Sequence, residues 1–162
     1  MNFNMTVPQV PGVVRAASYY NQLTKAGPFL FLAGMIAYDP DTKKVIKNIW
    51  DLPEEGRKAL ETGRDHTDHR EGRIMAQTWF IYNSWKKTLE SQGSSLDNIV
   101  WANYYFIHLD RDFAPFERVR MMFIKKELSP PGTGVEVLRV GVNDDCILEM
   151  NCIGVIPNWK GD

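Results

Sequence analysis

Cysteine is scarce in this chain, Cys146 and Cys152 being the only two, and that scarcity excludes a fold held by disulfides. The pair read as members of one extended strand, where six residues span about 20 Å, far beyond the reach of a disulfide. Both are expected as buried thiols acting as small core residues. Excess charge is missing as well. With 19 basic against 20 acidic side chains the net charge is −1, so no general field attracts phosphates and nucleic acid is not expected as a partner. No apolar run is long enough for a bilayer, and MNFNMTVPQVPG lacks the basic-then-apolar pattern of a secretory signal. A cytoplasmic protein with no membrane partner is expected. Internal repeats and low-complexity tracts are absent. Histidine is rare too, and two of the three sit in Asp65-His66-Thr67-Asp68-His69. That stretch has enough ligands for a divalent ion if it folds helically, but its spacing matches no established zinc signature. A solvated charged loop is the alternative, and neither a metal nor another cofactor is expected.

What is present is ordinary globular material. The 162 residues are 44% hydrophobic, 12% aromatic and 24% charged, which suits one domain with a real core. Residues 1 to 12 read as a Pro-punctuated arm, and Val13 to Tyr20 have mixed periodicity. Ala26-Gly27-Pro28 is a turn, and Phe29 to Ala33 (FLFLA) is a buried strand continued through Gly34 to Tyr38. A short strand is expected at Lys44 to Ile46. From Trp50 to Arg73 the chain is charged and broken by Gly56, Gly63 and Gly72. Pro53 followed by Glu54 and Glu55 suits a short helix, and the rest reads as an inserted lid or interface element, or as a plain solvated loop. Ile74, Thr78, Ile81, Tyr82, Trp85 and Leu89 recur at helical spacing, predicting an amphipathic helix over 74–92 that Gly93 stops. Ile99 to Leu109 is β-branched and aromatic enough for a strand. Asp112 is placed as the N-cap of a second helix running to about Leu128, ended by Pro130-Pro131.

The stretch Pro130 to Asn151 reads as a β-hairpin, Val135–Val140 returning through Gly141–Asp145 to Cys146–Val155. On its second strand a side-chain period of two puts Cys146, Leu148, Met150 and Cys152 on one face and Ile147, Glu149, Asn151 and Ile153 on the other. A carboxylate and an amide thus stand on an apolar wall near the glycine-rich Gly132-Thr133-Gly134. The predicted order of elements is that of an α+β sandwich with helices on one sheet face. Its uncovered strands are apolar on both sides, which calls for a covered second face, most simply by copies of the same chain.

The runs YNQLTKAGPFLFLAGMIAYDPDT, LESQGSSLDNIV, HLDRDF, PPGTGVEVLRV and LEMNCIGV together resemble the YjgF/Rid (reactive intermediate deaminase) family. The resemblance covers most of the chain outside residues 50–73 and the tails. It implies a single domain over 1–162 with a charged insertion at about 50–73, and a chorismate-mutase-like fold: a mixed sheet with two main helices on one face. It further implies a homotrimer with clefts at subunit interfaces and hydrolysis of enamines or imines of a small metabolite, without a cofactor. The family's substrate-binding arginine falls at Gly132, the neighbouring cysteine of many members at Gly134 with Thr133 between them, and the usual Ser-Gly-Gln at Ala33-Gly34-Met35. Tyr20 stands at the family's pocket tyrosine and Glu149 at the carboxylate associated with the catalytic water. The missing guanidinium implies weak use of carboxylate-bearing imines, and an arginine restored at position 132 is expected to recover them.

Each site residue also has a bland reading. Glu149 can serve as general acid or base, or form a structural ion pair with Arg139. Tyr20 orients a substrate or is a packed aromatic; His108, at a strand end, is a proton shuttle or a satisfied surface histidine. Gly132, Thr133 and Gly134 supply backbone donors to a substrate oxygen or make a plain turn. Ala33, Gly34 and Asn151 would line the same site. The functional expectation is a hydrolase acting on a C–N or C=N bond, possessing a water activated by Glu149. The alternative is a non-catalytic trimer that binds a small molecule.

Overall fold

A computed structural model describes residues 4–13, 19–141 and 143–161. The expectation for residues 13–20 falls mostly outside them. In chain order the elements are β1 (Met5–Thr6), β2 (Leu23–Ala26), β3 (Phe29–Ile36), β4 (Tyr38–Asp39), β5 (Lys44–Val45), α1 (Glu54–Leu60), α2 (Asp65–Glu90), β6 (Ile99–Phe106), α3 (Leu109–Phe123), β7 (Gly132–Glu136) and β8 (Leu148–Val155). Six strands form one mixed sheet in the order β1-β2-β3-β8-β6-β7, and β4 and β5 form a separate hairpin. Every pairing in the large sheet is antiparallel except β6 with β7.

The hairpin expected between residues 135 and 155 does not form. β7 pairs in parallel with β6, Ala102 opposite Gly132 through Phe106 opposite Glu136, so α3 is the crossover that a parallel pair needs. β8 instead lies between β3 and β6. Its alternate residues Leu148, Met150 and Cys152 are buried while Glu149, Asn151 and Ile153 are only half-buried. A strand with so apolar a face gains most from neighbours on both sides, and the turn chemistry at 141–145 serves a longer return across β6. Cys146 departs from the expected alternation. It precedes β8 and packs with Val45 and Val140 beside Ile36 and Tyr105, while Cys152 joins the main core. Both thiols are free and buried.

The helices cover one face. Ile74, Thr78, Ile81, Tyr82, Trp85 and Leu89 of α2 are all buried, and with Phe116 and Val119 of α3 they meet Leu30, Ala102, Phe106 and Leu148 from the sheet. Burial of each such large apolar side chain contributes about 1.5–3 kcal/mol. The Tyr82 ring stacks on Phe123 at 5.4 Å. Its hydroxyl meets that of Tyr104 at 3.4 Å, and burial raises both phenol pKa values.

The charged stretch 50–73 is folded and is not a solvated loop. α2 begins at Asp65, where Asp65 and Asp68 sit in its first turn and suit the positive end of the helix dipole. Asp68, buried, accepts from the Thr62 amide at 3.1 Å and the Thr62 hydroxyl at 2.5 Å. Ile49, Leu52 and Leu60 join the core, and α1 approaches α2 so closely that a Cβ at Gly56 would lie 2.8 Å from the Trp79 ring. Few apolar residues anchor this stretch, which is why its charge dominates the sequence pattern. The second helix starts at Leu109, not after Asp112. Glu136 from β7 accepts the Leu109 amide at 2.8 Å, supplying the cap from a distant strand, while Asp112 is buried against the Arg111 guanidinium at 2.7 Å.

Candidate active site on the open sheet face

Because Leu148, Met150 and Cys152 point into the core, the strand period sends Glu149, Asn151 and Ile153 to the face that no helix covers. The register builds that face in rows. Val135, Tyr105, Glu149 and Ile36 form one row across β7, β6, β8 and β3. Thr133, Asn103 and Asn151 form the next, ending where the β3–β8 register shifts between Leu32 and Met35, so that Ala33 and Gly34 bulge opposite Asn151. Trp101, Ile153 and Phe31 form a third. Phe29, Phe31, Trp101 and Val135 leave 42%, 43%, 40% and 37% of their surface exposed, a cluster too apolar to be ordinary solvent-facing sheet.

Both oxygens of Glu149 are accounted for. Oε2 accepts the Gly141 amide at 3.0 Å, which holds the carboxylate from the loop after β7. Oε1 lies over the bulge, 2.2 Å from where a Cβ at Gly34 would stand, so the carboxylate occupies this position only because residue 34 has no side chain. Gly141 has φ 57°, a conformation that favours glycine, and its Cα faces Ile36 closely enough that a Cβ would sit at 3.1 Å. The structural ion pair with Arg139 is not formed. That guanidinium lies 3.9 Å from Asp144 and is largely exposed.

Other expected site residues divide. Ala33, Gly34, Thr133 and Asn151 share the open face with Glu149. Gly132 and Gly134 stand opposite Ala102 and Tyr104, whose side chains are buried, so a side chain at either position would point toward the helix-covered face. A Cβ at Gly132 would meet the Ala102 carbonyl oxygen at 2.0 Å. This overturns the expectation that an arginine could be restored there, because backbone and not a movable side chain fills the space. His108 is exposed beyond the end of β6, where its carbonyl accepts the Asp112 amide at 3.0 Å, and it does not enter the Glu149 row. Tyr20 is half-exposed. It lies two residues before Gln22, whose carbonyl accepts the Ala33 amide at 3.0 Å, so its backbone runs toward the bulge.

Asn103, Tyr105 and Gly141 were not singled out by the sequence. The alternation in IVWANYYF places Trp101, Asn103 and Tyr105 together, but only the β6–β8 register puts them beside Glu149 and Asn151. Asn103 accepts from the Trp101 indole at 3.1 Å, and the Asn151 carboxamide oxygen is buried with no hydrogen-bond partner. Cys146 borders the site without being a nucleophile for it. Burial, reinforced by the Asp145 and Glu149 carboxylates, pushes its thiol up to about 11, leaving about one thiolate in 10⁴ at pH 7. A cleft of about 670 Å³ lies elsewhere, between the β4–β5 hairpin and the 143–145 turn, and holds the Lys47–Asp145 ion pair at 2.6 Å. No residue of the Glu149 row lines it. His69 pairs with Asp65 at 3.2 Å along α2, and among the described residues no group of three or more His, Cys, Asp or Glu is placed to hold a metal. Nor is any helix there long and apolar enough to cross a membrane.

No family model matches the chain. A RutC family protein of Pyrococcus abyssi is 30% identical over 134 residues, which cover 83% of this chain and 84% of that protein. The chain belongs to the RutC family, the YjgF/Rid group. A solved structure from Klebsiella pneumoniae, provisionally named an endoribonuclease, matches this RutC-family chain with a TM-score of 0.77 at 31% identity, covering 85% of it and 100% of the relative. YyfA of Yersinia pestis, a Rid family protein, matches at a TM-score of 0.72 and 17% identity over 94% of this chain and 99% of its own. That second likeness shows the fold: a mixed sheet backed by helices is the Rid family architecture.

Proposed function

We propose that this RutC-family protein hydrolyses the C=N bond of a small imine or enamine, with Glu149 placing and deprotonating the attacking water. The observation that carries the reading is the fixation of the Glu149 carboxylate on an apolar face. One oxygen is held by the Gly141 amide, and the other lies over the side-chain-free bulge at Gly34. A carboxylate so oriented can take a proton from water as it adds to the carbon of a protonated imine, giving a carbinolamine, and can return that proton to the nitrogen as the C–N bond breaks, leaving ammonia and the carbonyl compound. Asn103, Asn151 and Thr133 in the adjacent row supply neutral polar groups for orientation.

The same proposal includes a homotrimer and a cytoplasmic location. Its support for assembly is the exposure of Phe29, Phe31 and Trp101 on the face that carries the site, which a neighbouring copy would cover. Sedimentation at low micromolar concentration as a monomer would remove the shared cleft. A second reading, a trimer that binds small molecules without turning them over, is favoured by one observation: position 132 is closed to the family's arginine by the Ala102 carbonyl. The endoribonuclease name belongs to the Klebsiella protein; here the charge of −1 offers nucleic acid little.

Glu149→Gln decides between the readings. It keeps the size and one acceptor but cannot take the proton, so ammonia release from an imine panel should fall by about 10²–10⁴ while ligand binding changes little. Unchanged turnover in a normally folded variant ends the mechanism. Absence of turnover in the wild type, with binding retained, leaves the binder.

A further inference from the structure

One amide holds the small cluster that flanks Glu149. Gln77 is wholly buried on α2. Its Nε2 donates to the Ile46 carbonyl at 2.9 Å and to the Asp145 carbonyl at 2.9 Å, and its Oε1 accepts the Ile147 amide at 3.0 Å. The first bond fixes the chain as it leaves β5, directly after Val45. The other two fix the entry to β8 on either side of Cys146 and just ahead of Glu149. Val45 and Cys146 pack with Val140 in one buried cluster, with Ile36 and Tyr105 against it.

Two contacts from elsewhere also reach the segment from Val140 to Glu149, the Ile107 amide donating to the Ile147 carbonyl at 3.1 Å and Lys47 pairing with Asp145 at 2.6 Å, and the turn bonds to itself. Asn143 accepts the Cys146 amide at 3.0 Å through its carbonyl and the Asp145 amide at 2.8 Å through its side chain. Gly141, next to Val140, then reaches Glu149 Oε2 with its amide. The three bonds satisfy the Gln77 amide, whereas an apolar side chain there would take these partners from the Ile46 carbonyl and the Ile147 amide in the interior and from the part-buried Asp145 carbonyl.

We infer that Gln77 is the positioning residue of the site: by pinning residues 46, 145 and 147 to α2 it sets the place of the Gly141 amide and through it the orientation of the Glu149 carboxylate. This rests on the reading of Glu149 as the group that handles water. Gln77 touches neither substrate nor water and has no catalytic part of its own.

The test uses Gln77→Met, close in size but unable to form any of the three bonds, beside Thr88→Ala. Thr88 is buried on α2 and bonds only within its helix, its hydroxyl donating to the Ser84 carbonyl at 2.8 Å, so its loss is a purely structural control. Both variants are measured well below their melting temperatures. Two readouts separate this inference from the proposed function. Hydrogen exchange needs no substrate: in Gln77→Met the Gly141 amide should exchange at least tenfold faster, with α2 and β6 amides unchanged, and Thr88→Ala should leave Gly141 as in the wild type. On any imine the wild type turns over, Gln77→Met should lower kcat at least tenfold with KM within about twofold, and adding it to Glu149→Gln should cause no further loss. Unaltered Gly141 exchange, or a loss additive with Glu149→Gln, overturns the inference. A wild type that turns over nothing sinks the proposed function, and the exchange result then still decides the positioning role. If Gln77→Met fails to fold, Gln77→Asn, which keeps a neutral carboxamide but is one methylene too short to make all three bonds, is measured in the same way.

Discussion

Gly34→Ala is the sharpest perturbation of the site that leaves the chain's pairing intact. Gly34 has no left-handed backbone conformation, so alanine brings no strain of that kind and its narrower unfolded ensemble contributes about 0.4–1 kcal/mol of stability. Everything else turns on the new methyl, which would stand 2.2 Å from Glu149 Oε1. An ordinary van der Waals contact of a Cβ starts at about 3.4 Å, so the carboxylate must withdraw by about 1 Å. Such a displacement of a reacting group lowers rates by about 10²-fold. Withdrawal also threatens the 3.0 Å bond from Gly141, a hydrogen bond to a charged group with a net contribution of about 1.5–3 kcal/mol. The two stability terms oppose each other, and the end of a glutamate can swing without moving the backbone. The variant should therefore fold, with a melting temperature within a few degrees of wild type, and release ammonia about 10²-fold more slowly. Steady-state kinetics on the best imine of a panel, beside a thermal melt, reads both quantities. Full activity in Gly34→Ala would show that the seat of Oε1 over the bulge has nothing to do with turnover.

Gly132→Arg should not recover binding of carboxylate ligands, because its Cβ would meet the Ala102 carbonyl oxygen at 2.0 Å. It should instead loosen β7 from β6 and lower the melting temperature, and calorimetric titration with a small keto acid beside a melt checks both. For pH, the Cys146 thiol has its pKa raised on folding from 9.0 to about 11. The native state then holds its proton more tightly than the unfolded chain, so this contribution is fully present below about pH 9 and is lost as pH rises toward about 11. Denaturant melts between pH 8 and pH 11 should show that decline, and Cys146→Ala should flatten it.

The local sequence determined what depends on neighbours a few residues apart. The three-and-four spacing of Ile74, Thr78, Ile81, Tyr82, Trp85 and Leu89 gave the buried stripe of α2, since a helix repeats its faces whatever lies beyond it. Alternation in LEMNCIGV put Glu149 and Asn151 opposite Leu148, Met150 and Cys152 before any partner strand was known. The family resemblance rested on the same runs. Local pattern could not say which strand lies beside which. The turn residues at 141–145 suited a hairpin, yet β7 pairs with β6 and β8 with β3 and β6, because strand order is decided by the whole sheet's burial and by the α3 crossover. Polar stretches were opaque for a related reason: the start of α2 at Asp65 rests on Thr62, and the start of α3 on Glu136, contacts that no periodicity records. The site depended on tertiary structure most of all. That Glu149 faces an apolar wall was legible, but its hold by Gly141 and its seat over Gly34 are distances between segments. So is the closure of position 132 by Ala102, and each exists only once the sheet has brought those segments into register.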